Sequence, residues 1–460
     1  MNETATTEPE NDKLARPATI KNLLTFATPT ILSMILMSFF GIIDGVFASR
    51  LISPLALSAT GIVFPMLTFI MSIGFMLGVG GNALVAKQLG EGNTKYANKN
   101  FNLIVAVAFG ASITLAVVGA IFVEPLLVFL GANESIFDMA LAYITPFLLT
   151  LPFIAMGVIF NQFLMTEGKA HLSTIGTVVG GLVNVALNYL LIYVFQMGLT
   201  GAAIATSTNF AIPTLIGIGY FATNKKGSLR FGRFNWHTQT VLKAAGNGAS
   251  EMVTMMSIAI VAVYMNNIAI DIEGPLGVAS LTIAFTVLNI LSGLFIGFSA
   301  GIMPIISYKF GQADDAGLHQ LWKNALTVLV VLSVVNIGLA NLLVSPLVRI
   351  YVPVADPVYA MTVTGLRLMT FGFVFMGVNM FSSMFFTALN NGLVSSILVF
   401  FRSLVFAMIA MSILPGLFGM TGLWLSIPVA EVPALLLTIY IFNKYKARYH
   451  YTPAHIRCKA

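Results

Sequence analysis

Ionisable side chains are rare in the apolar stretches of this sequence, which makes each of them a candidate for chemistry. Asp44 stands inside SFFGIIDGVFA, residues 38–48, where a lone carboxylate in hydrocarbon costs a few kcal/mol even on the lenient insertion scale. It lies six residues before Arg50, about 9 Å below the outer end of its stretch at 1.5 Å per residue. Other polar groups share that depth. Asn184 and Asn188, in GGLVNVALNYLL, are spaced i, i+4 and share one helical face. Thr206, in GAAIATSTNF, lies about two turns below the outer start of its own stretch.

A carboxylate, two amides and a hydroxyl at one depth can meet inside a helix bundle, and two chemistries are open to them. Apolar surroundings push a carboxyl toward its neutral form, so such a site can take a proton from the acidic side and release it when the cavity rewets from the other. Four oxygen-bearing side chains can instead hold a small hard cation. A single carboxylate favours the proton. The plain alternative is that each amide or hydroxyl is an interhelical hydrogen-bond former. In the second half of the chain Glu251, after GNGAS, and Glu431, between Pro428 and Pro433, are secondary candidate acids. Gly246 and Gly248 are expected to loosen the helix and widen a cavity beside Glu251, and Arg367 and Arg402 to neutralise these acids or snorkel. The 23 methionines, including MVTMM at 252–256, suit either a pocket for varied shapes or ordinary packing.

The elements that position these residues are membrane helices. Of the 460 residues 58% are hydrophobic and 9% charged, against about 25% charged in an average soluble domain. Runs of the ~20 residues that cross a bilayer occur at about 24–48, 56–86, 101–130, 137–165, 172–194, 199–222, 240–268, 276–308, 323–348, 358–388, 393–415 and 421–443. Twelve spans put both termini on one side. Placing that side in the cytoplasm leaves 19 of the 23 Lys and Arg in cytoplasmic segments, as the positive-inside rule requires. The net charge of +6 thus reports orientation and not a nucleic-acid partner. Residues 1–21, with Glu3, Glu8, Glu10, Asp12, Lys13 and Arg16, read as a solvated tail and not a cleavable signal.

Sliding the chain against itself by 221 residues aligns Pro54 with Pro275, Gly80 with Gly301, Gly90 with Gly311 and Thr200-Gly201 with Thr421-Gly422. The expected fold is therefore an all-α polytopic membrane protein of two duplicated six-helix bundles. Its parts are an N-terminal tail (1–21), an N-lobe (22–222), a linker (223–239), a C-lobe (240–443) and a C-terminal tail (444–460). Because six is even, the lobes share an orientation and their symmetry axis runs along the membrane normal, a common plan in secondary transporters.

With these residues in hand the chain resembles the multidrug and toxic compound extrusion (MATE) transporters over residues 20–445. The resemblance rests on PTILSMILMSFFGIIDGVFAS, QLGEGN after span 2 with its counterpart KFGQAD after span 8, NVALNYLLIY in span 5 and GLTGAAIATS at the start of span 6. It implies two lobes forming a V, and export of cationic or amphipathic organic compounds against proton or sodium entry. It implies that Asp44, Asn184, Asn188 and Thr206 match cation-site positions of the N-lobe. One branch of the family has an aspartate where this chain has Asn188, so the charge of that site falls to Asp44 alone. Glu251 resembles an acid found in span 7 of many members, and Pro29 matches the proline at which span 1 of some relatives bends. A monomer in the bacterial inner membrane, without cofactor or bound metal, is expected.

Other classes fit less well. A lipid-linked oligosaccharide flippase of related architecture would line its cavity with basic residues, and only Arg367 and Arg402 are available. No His pair, nucleophile elbow or GxxxxGK[ST] loop supports an enzyme or an ATP-driven pump; GVGGNA at 78–83 ends a span and follows no strand. Rings of charge across several spans, as a channel would need, are missing. Cys458 near the C-terminus is the single cysteine and permits no internal disulfide. Asn133-Glu134-Ser135 forms a glycosylation-type triplet in an outer loop, too common a pattern to change the bacterial assignment.

Overall fold

The structure, a computed structural model, describes residues 12–47, 52, 54–130, 132, 136–224 and 227–452. Arg50, the 133–135 triplet, Lys225, Lys226, Cys458 and the acids Glu3, Glu8 and Glu10 lie outside the described residues. After a single turn of helix (Asp12–Ala15), the N-lobe consists of α1 (Ile20–Phe47), α2 (Pro54–Gly90), α3 (Thr94–Phe129), α4 (Phe137–Thr166), α5 (Ala170–Asn188, extended by a π-helical turn Tyr189–Val194) and α6 (Gly198–Thr223). The C-lobe begins with α7 (Thr238–Glu273), α8 (Pro275–Gly311), α9 (Asp315–Tyr351) and α10 (Pro357–Met369, a 3-10 turn Thr370–Gly372, and Phe373–Ala388). Then comes a helical run of 58 residues, Gly392–Tyr449. At 1.5 Å per residue it would measure about 87 Å, nearly three times the hydrocarbon core. It turns back at Gly419, whose φ of 57° and ψ of −137° leave the helical region. Its two halves are α11 (392–418, with a π-helical turn Phe401–Phe406) and α12 (420–449). Split at Gly419, the eleven long apolar helical runs among the described residues make twelve spans, as the sequence predicts.

The 221-residue repeat recurs in the turns. Left-handed φ occurs at Gly92 and Ala313 and at Gly198 and Gly419, each 221 residues apart, and at Gly168 and Asn390, 222 apart. Each pair joins equivalent helices of the two lobes, so Gly419 is the counterpart of the α5–α6 turn. Residues near both described ends meet the start of α9: Asn324 Nδ2 donates to the Ala18 carbonyl at 2.6 Å, and the His319 ring lies 2.9 Å from the Tyr451 carbonyl. Ala18 and Tyr451 therefore share one face, hereafter the terminal face.

The lobes touch toward that face and part away from it. Gly80 packs directly on the Ala244 carbonyl and Gly248, and Gly301 packs on Ala27. Gly90 packs on the Tyr308 carbonyl, and Gly311 on that of Lys87. Shifting Ala27, Gly80, Lys87 and Gly90 by 221 gives Gly248, Gly301, Tyr308 and Gly311, so the two contacts are the same contact made twice about a twofold axis. Only residues without side-chain bulk let helices approach this closely. Gly248 therefore serves helix crossing and not the widened cavity the sequence suggested. In the other half of the membrane no such crossing forms at Gly41 or Gly61, where a Cβ would have nothing within 4 Å. The result is a V open away from the termini.

Candidate functional site

Asp44 lies in the last turn of α1 and faces α5 and α6. Asn188, the final α-helical residue of α5 before its π-helical turn, donates from Nδ2 to Asp44 Oδ1 at 2.6 Å. π turns recur at functional sites because they re-aim the residues beside them. Thr206 in α6 places its Oγ1 3.2 Å from Asp44 Oδ2 and 2.9 Å from the Ala202 carbonyl. Its one proton can serve either neighbour. Asn184, one turn below Asn188, is fully buried beside the carboxylate, with neither Oδ1 nor Nδ2 in hydrogen-bond geometry. A buried amide left in this way costs about 1–3 kcal/mol, which singles it out for a role that this arrangement leaves unfilled.

The four residues singled out in the sequence are thus brought together from three helices. Sequence reasoning missed Tyr143 of α4, which lies within range of the Asp44 charge and packs edge-on against Phe147 at 5.1 Å. Its signal was depth: six residues into α4 from Phe137, level with Asp44.

Pro29 sits within a continuous α1. Its carbonyl accepts from Ser33 Oγ at 2.9 Å and, across the helix interface, from Thr174 Oγ1 at 2.8 Å.

In the C-lobe, Glu431 of α12 is held by Arg402, which lies in the π-helical turn of α11. Arg402 Nη2 donates to Glu431 Oε1 at 2.7 Å, and Nε lies 3.0 Å from both carboxylate oxygens. Asn379 of α10 donates to Oε2 at 2.7 Å, and its own Oδ1 accepts from Thr438 Oγ1 at 3.1 Å. Glu431 is thereby a paired, hydrogen-bonded charge. Glu251 of α7 is different. Among the described residues its carboxylate has no hydrogen-bond or ion-pair partner, and it keeps part of its surface accessible although protein surrounds it. Arg402 is committed to Glu431, and Arg367 is exposed on the surface. Among the described residues no cluster of three His, Cys, Asp or Glu side chains is placed to hold a metal ion.

Twelve helices in two pseudo-twofold lobes, with a hydrogen-bonded carboxylate inside one of them, define a polytopic membrane transporter. The MatE family model matches the chain twice, over residues 29–190 and 249–412, once in each lobe. The chain belongs to the MatE family. It is 24% identical over 443 residues to the multidrug export protein MepA of Staphylococcus saprophyticus, covering 93% of this chain and 95% of that one. It is 23% identical over 437 residues to MepA of Staphylococcus aureus, covering 92% and 94%. Among solved structures, an outward-facing multidrug resistance MATE family transporter of the MOP superfamily superposes with a TM-score of 0.91 at 20% identity, covering 97% of this chain and 100% of that one. A Vibrio cholerae MATE transporter superposes at 0.86 with 19% identity, covering 96% and 100%.

Proposed function

We propose that the protein exports cationic or amphipathic organic compounds by alternating access, in exchange for protons bound at Asp44. The single observation that carries the proton reading is the position of the Thr206 hydroxyl between Asp44 Oδ2 and the Ala202 carbonyl. When Asp44 is charged, Thr206 and Asn188 both donate to it. When Asp44 is protonated, Thr206 turns its proton to Ala202 and accepts the new one, or the buried Asn184 Oδ1 accepts it. The site serves both protonation states without moving a helix. Asn188 also presents its NH2 to the carboxylate, which is the orientation of a donor and not of a cation ligand.

A sodium-driven exporter of the same architecture is the second reading, favoured by the unpaired Asn184 Oδ1, which a bound cation would satisfy. The flippase reading loses its basic lining, because Arg402 is tied to Glu431 and Arg367 faces outward. Glu251 is the reserve coupling acid and Pro29 the candidate hinge of α1. The names of the MepA relatives support small-molecule drugs as the substrate class. The distribution of Lys and Arg supports cytoplasmic termini, the likeness to bacterial MepA supports a bacterial inner membrane, and we expect a monomer.

Thr206→Val and Thr206→Ser test the carrying observation. Proton-driven drug efflux is expected to fall at least tenfold in the valine variant and to recover with serine. Full activity with valine would remove Thr206 from the proton site.

A further inference from the structure

Export against protons needs a way out for the proton as well as a place to hold it. A polar track runs inside the N-lobe from Asp44 toward the terminal face, and one ring interrupts it. At the terminal face a cavity of about 210 Å³ is lined by Arg16, Asn22, Pro29, Gly168 and His171, with Ile305 of α8 closing its C-lobe side. It is large enough to hold water, which needs only about 10–15 Å³ of such volume per molecule. At its inner end Pro29, Ser33 and Thr174 are hydrogen-bonded together, with Ser33 Oγ 3.1 Å from Thr174 Oγ1. The track continues along α5 through Ser173 and Thr177, both buried, and resumes at Asn184 and Asn188, which share their stripe at i, i+4 spacings.

Between Thr177 and Asn184 lie two turns of helix, about 10 Å, without a polar side chain at Gly180 and Gly181. Gly180 is packed on the Asn209 backbone of α6. Gly181 makes room for the Phe40 ring, which lies where a Cβ would stand. Phe40 is one turn before Asp44 on α1 and is buried. Just beyond it sits the Asn184 amide, fully buried beside the Asp44 carboxylate with neither Oδ1 nor Nδ2 in hydrogen-bond geometry.

We infer that Phe40, seated on Gly181, is a gate between the Asp44 cluster and the terminal face, and that protons leave Asp44 through the interior of the N-lobe, not through the cleft between lobes. The inference rests on the coupling role of Asp44 proposed above. With the ring displaced, a water at Asn184 joins Asp44 to Thr177, Ser173 and the cavity. The titratable or charged groups near this route are Tyr143 of α4 beside Asp44, and His171 and Arg16 at the mouth.

The test measures proton flux without drug in proteoliposomes holding a pH-sensitive dye. Phe40→Ala is expected to raise this flux at least tenfold, and Asp44→Asn added to it is expected to return the flux to background. Phe40→Leu is a milder variant with the same expected direction should alanine fail to fold. In a Cys458→Ser background, Asn184→Cys is expected to resist a small charged thiol reagent applied at the terminal face and to react once Phe40→Ala is added. Thr177→Cys is expected to react in both. Folded Phe40 variants with unchanged flux, or a leak that survives Asp44→Asn, would overturn the gate while leaving coupling at Asp44 intact. Wild-type coupling that persists with Asp44→Asn alone would instead overturn the coupling reading.

Discussion

At the residue scale the N-lobe and C-lobe hold opposite kinds of buried acid. Asp44 receives neutral donors only, so its charge is balanced by dipoles and can be removed by a proton at modest cost. Glu431 receives a forked guanidinium and an amide, an arrangement in which each charge depends on the other. Removing one partner of such a pair strands a buried charge and costs about 3–5 kcal/mol. Arg402→Met is therefore expected to lower the thermal midpoint in detergent by several degrees, and Arg402→Met with Glu431→Leu to regain much of the loss. A single variant as stable as wild type would show that the pair holds nothing together. The depth of Asp44, Asn188 and Thr206 was legible in the sequence because distance from a span end converts directly to height in the membrane. The pairing of Arg402 with Glu431, and not Glu251, was not legible. Which face of α11 turns inward depends on its π-helical turn, and no periodicity records that.

At the element scale the lobes are joined by crossings that admit no side chain. The repeat pointed to Gly80, Gly90, Gly301 and Gly311 as equivalent positions, but not to what they touch, since close approach is a property of two helices and a sequence pattern describes one. A leucine at Gly80 forces α2 from α7 beside Ala244 and Gly248. Overpacking of this kind costs about 1–3 kcal/mol, enough to move the balance between a state closed at the terminal face and one open there by about 5- to 150-fold. Gly80→Leu is thus expected to expose thiols introduced near Gly248 to a charged reagent from the terminal face. Labelling no faster than in the parent protein would mean the crossing is not what keeps that face shut.

At the scale of the whole molecule the linker is in part a fixed component of the N-lobe. Glu167, at the end of α4 and outside the membrane span, accepts from the Leu229 amide at 2.9 Å and lies 3.4 Å from Asn224 Nδ2 and Tyr220 Oη. Asn98 and Asn102 of α3 accept from the amides of Arg230 and Gly232 at 2.7 and 2.9 Å. Burial pushes the Glu167 carboxyl up to about 7 from its ordinary 4.5, against the opposing pull of these donors. Between those values the docked carboxyl keeps a proton that the undocked one has lost. Docking is therefore firmest at the acid end and weakens as pH rises toward about 7, beyond which it is level. Hydrogen exchange of residues 227–232, corrected for intrinsic rates, is expected to lose protection from pH 5 to 7.5 in wild type and to stay flat in Glu167→Gln. A flat wild-type profile would contradict the linkage. The polar residues along the linker give no hint of this clamp in the sequence, because Glu167 and Leu229 are remote along the chain and only the fold brings them together.

A proton at Asp44 is proposed to drive transport. Efflux of a fluorescent organic cation from proteoliposomes, driven separately by a proton and by a sodium gradient, tests it in wild type and in Asp44→Asn. Transport is expected under the proton gradient alone, and Asp44→Asn is expected to abolish it. Transport under a sodium gradient alone, or proton-driven transport that survives Asp44→Asn, would contradict the proposal and turn attention to Glu251 in the second lobe.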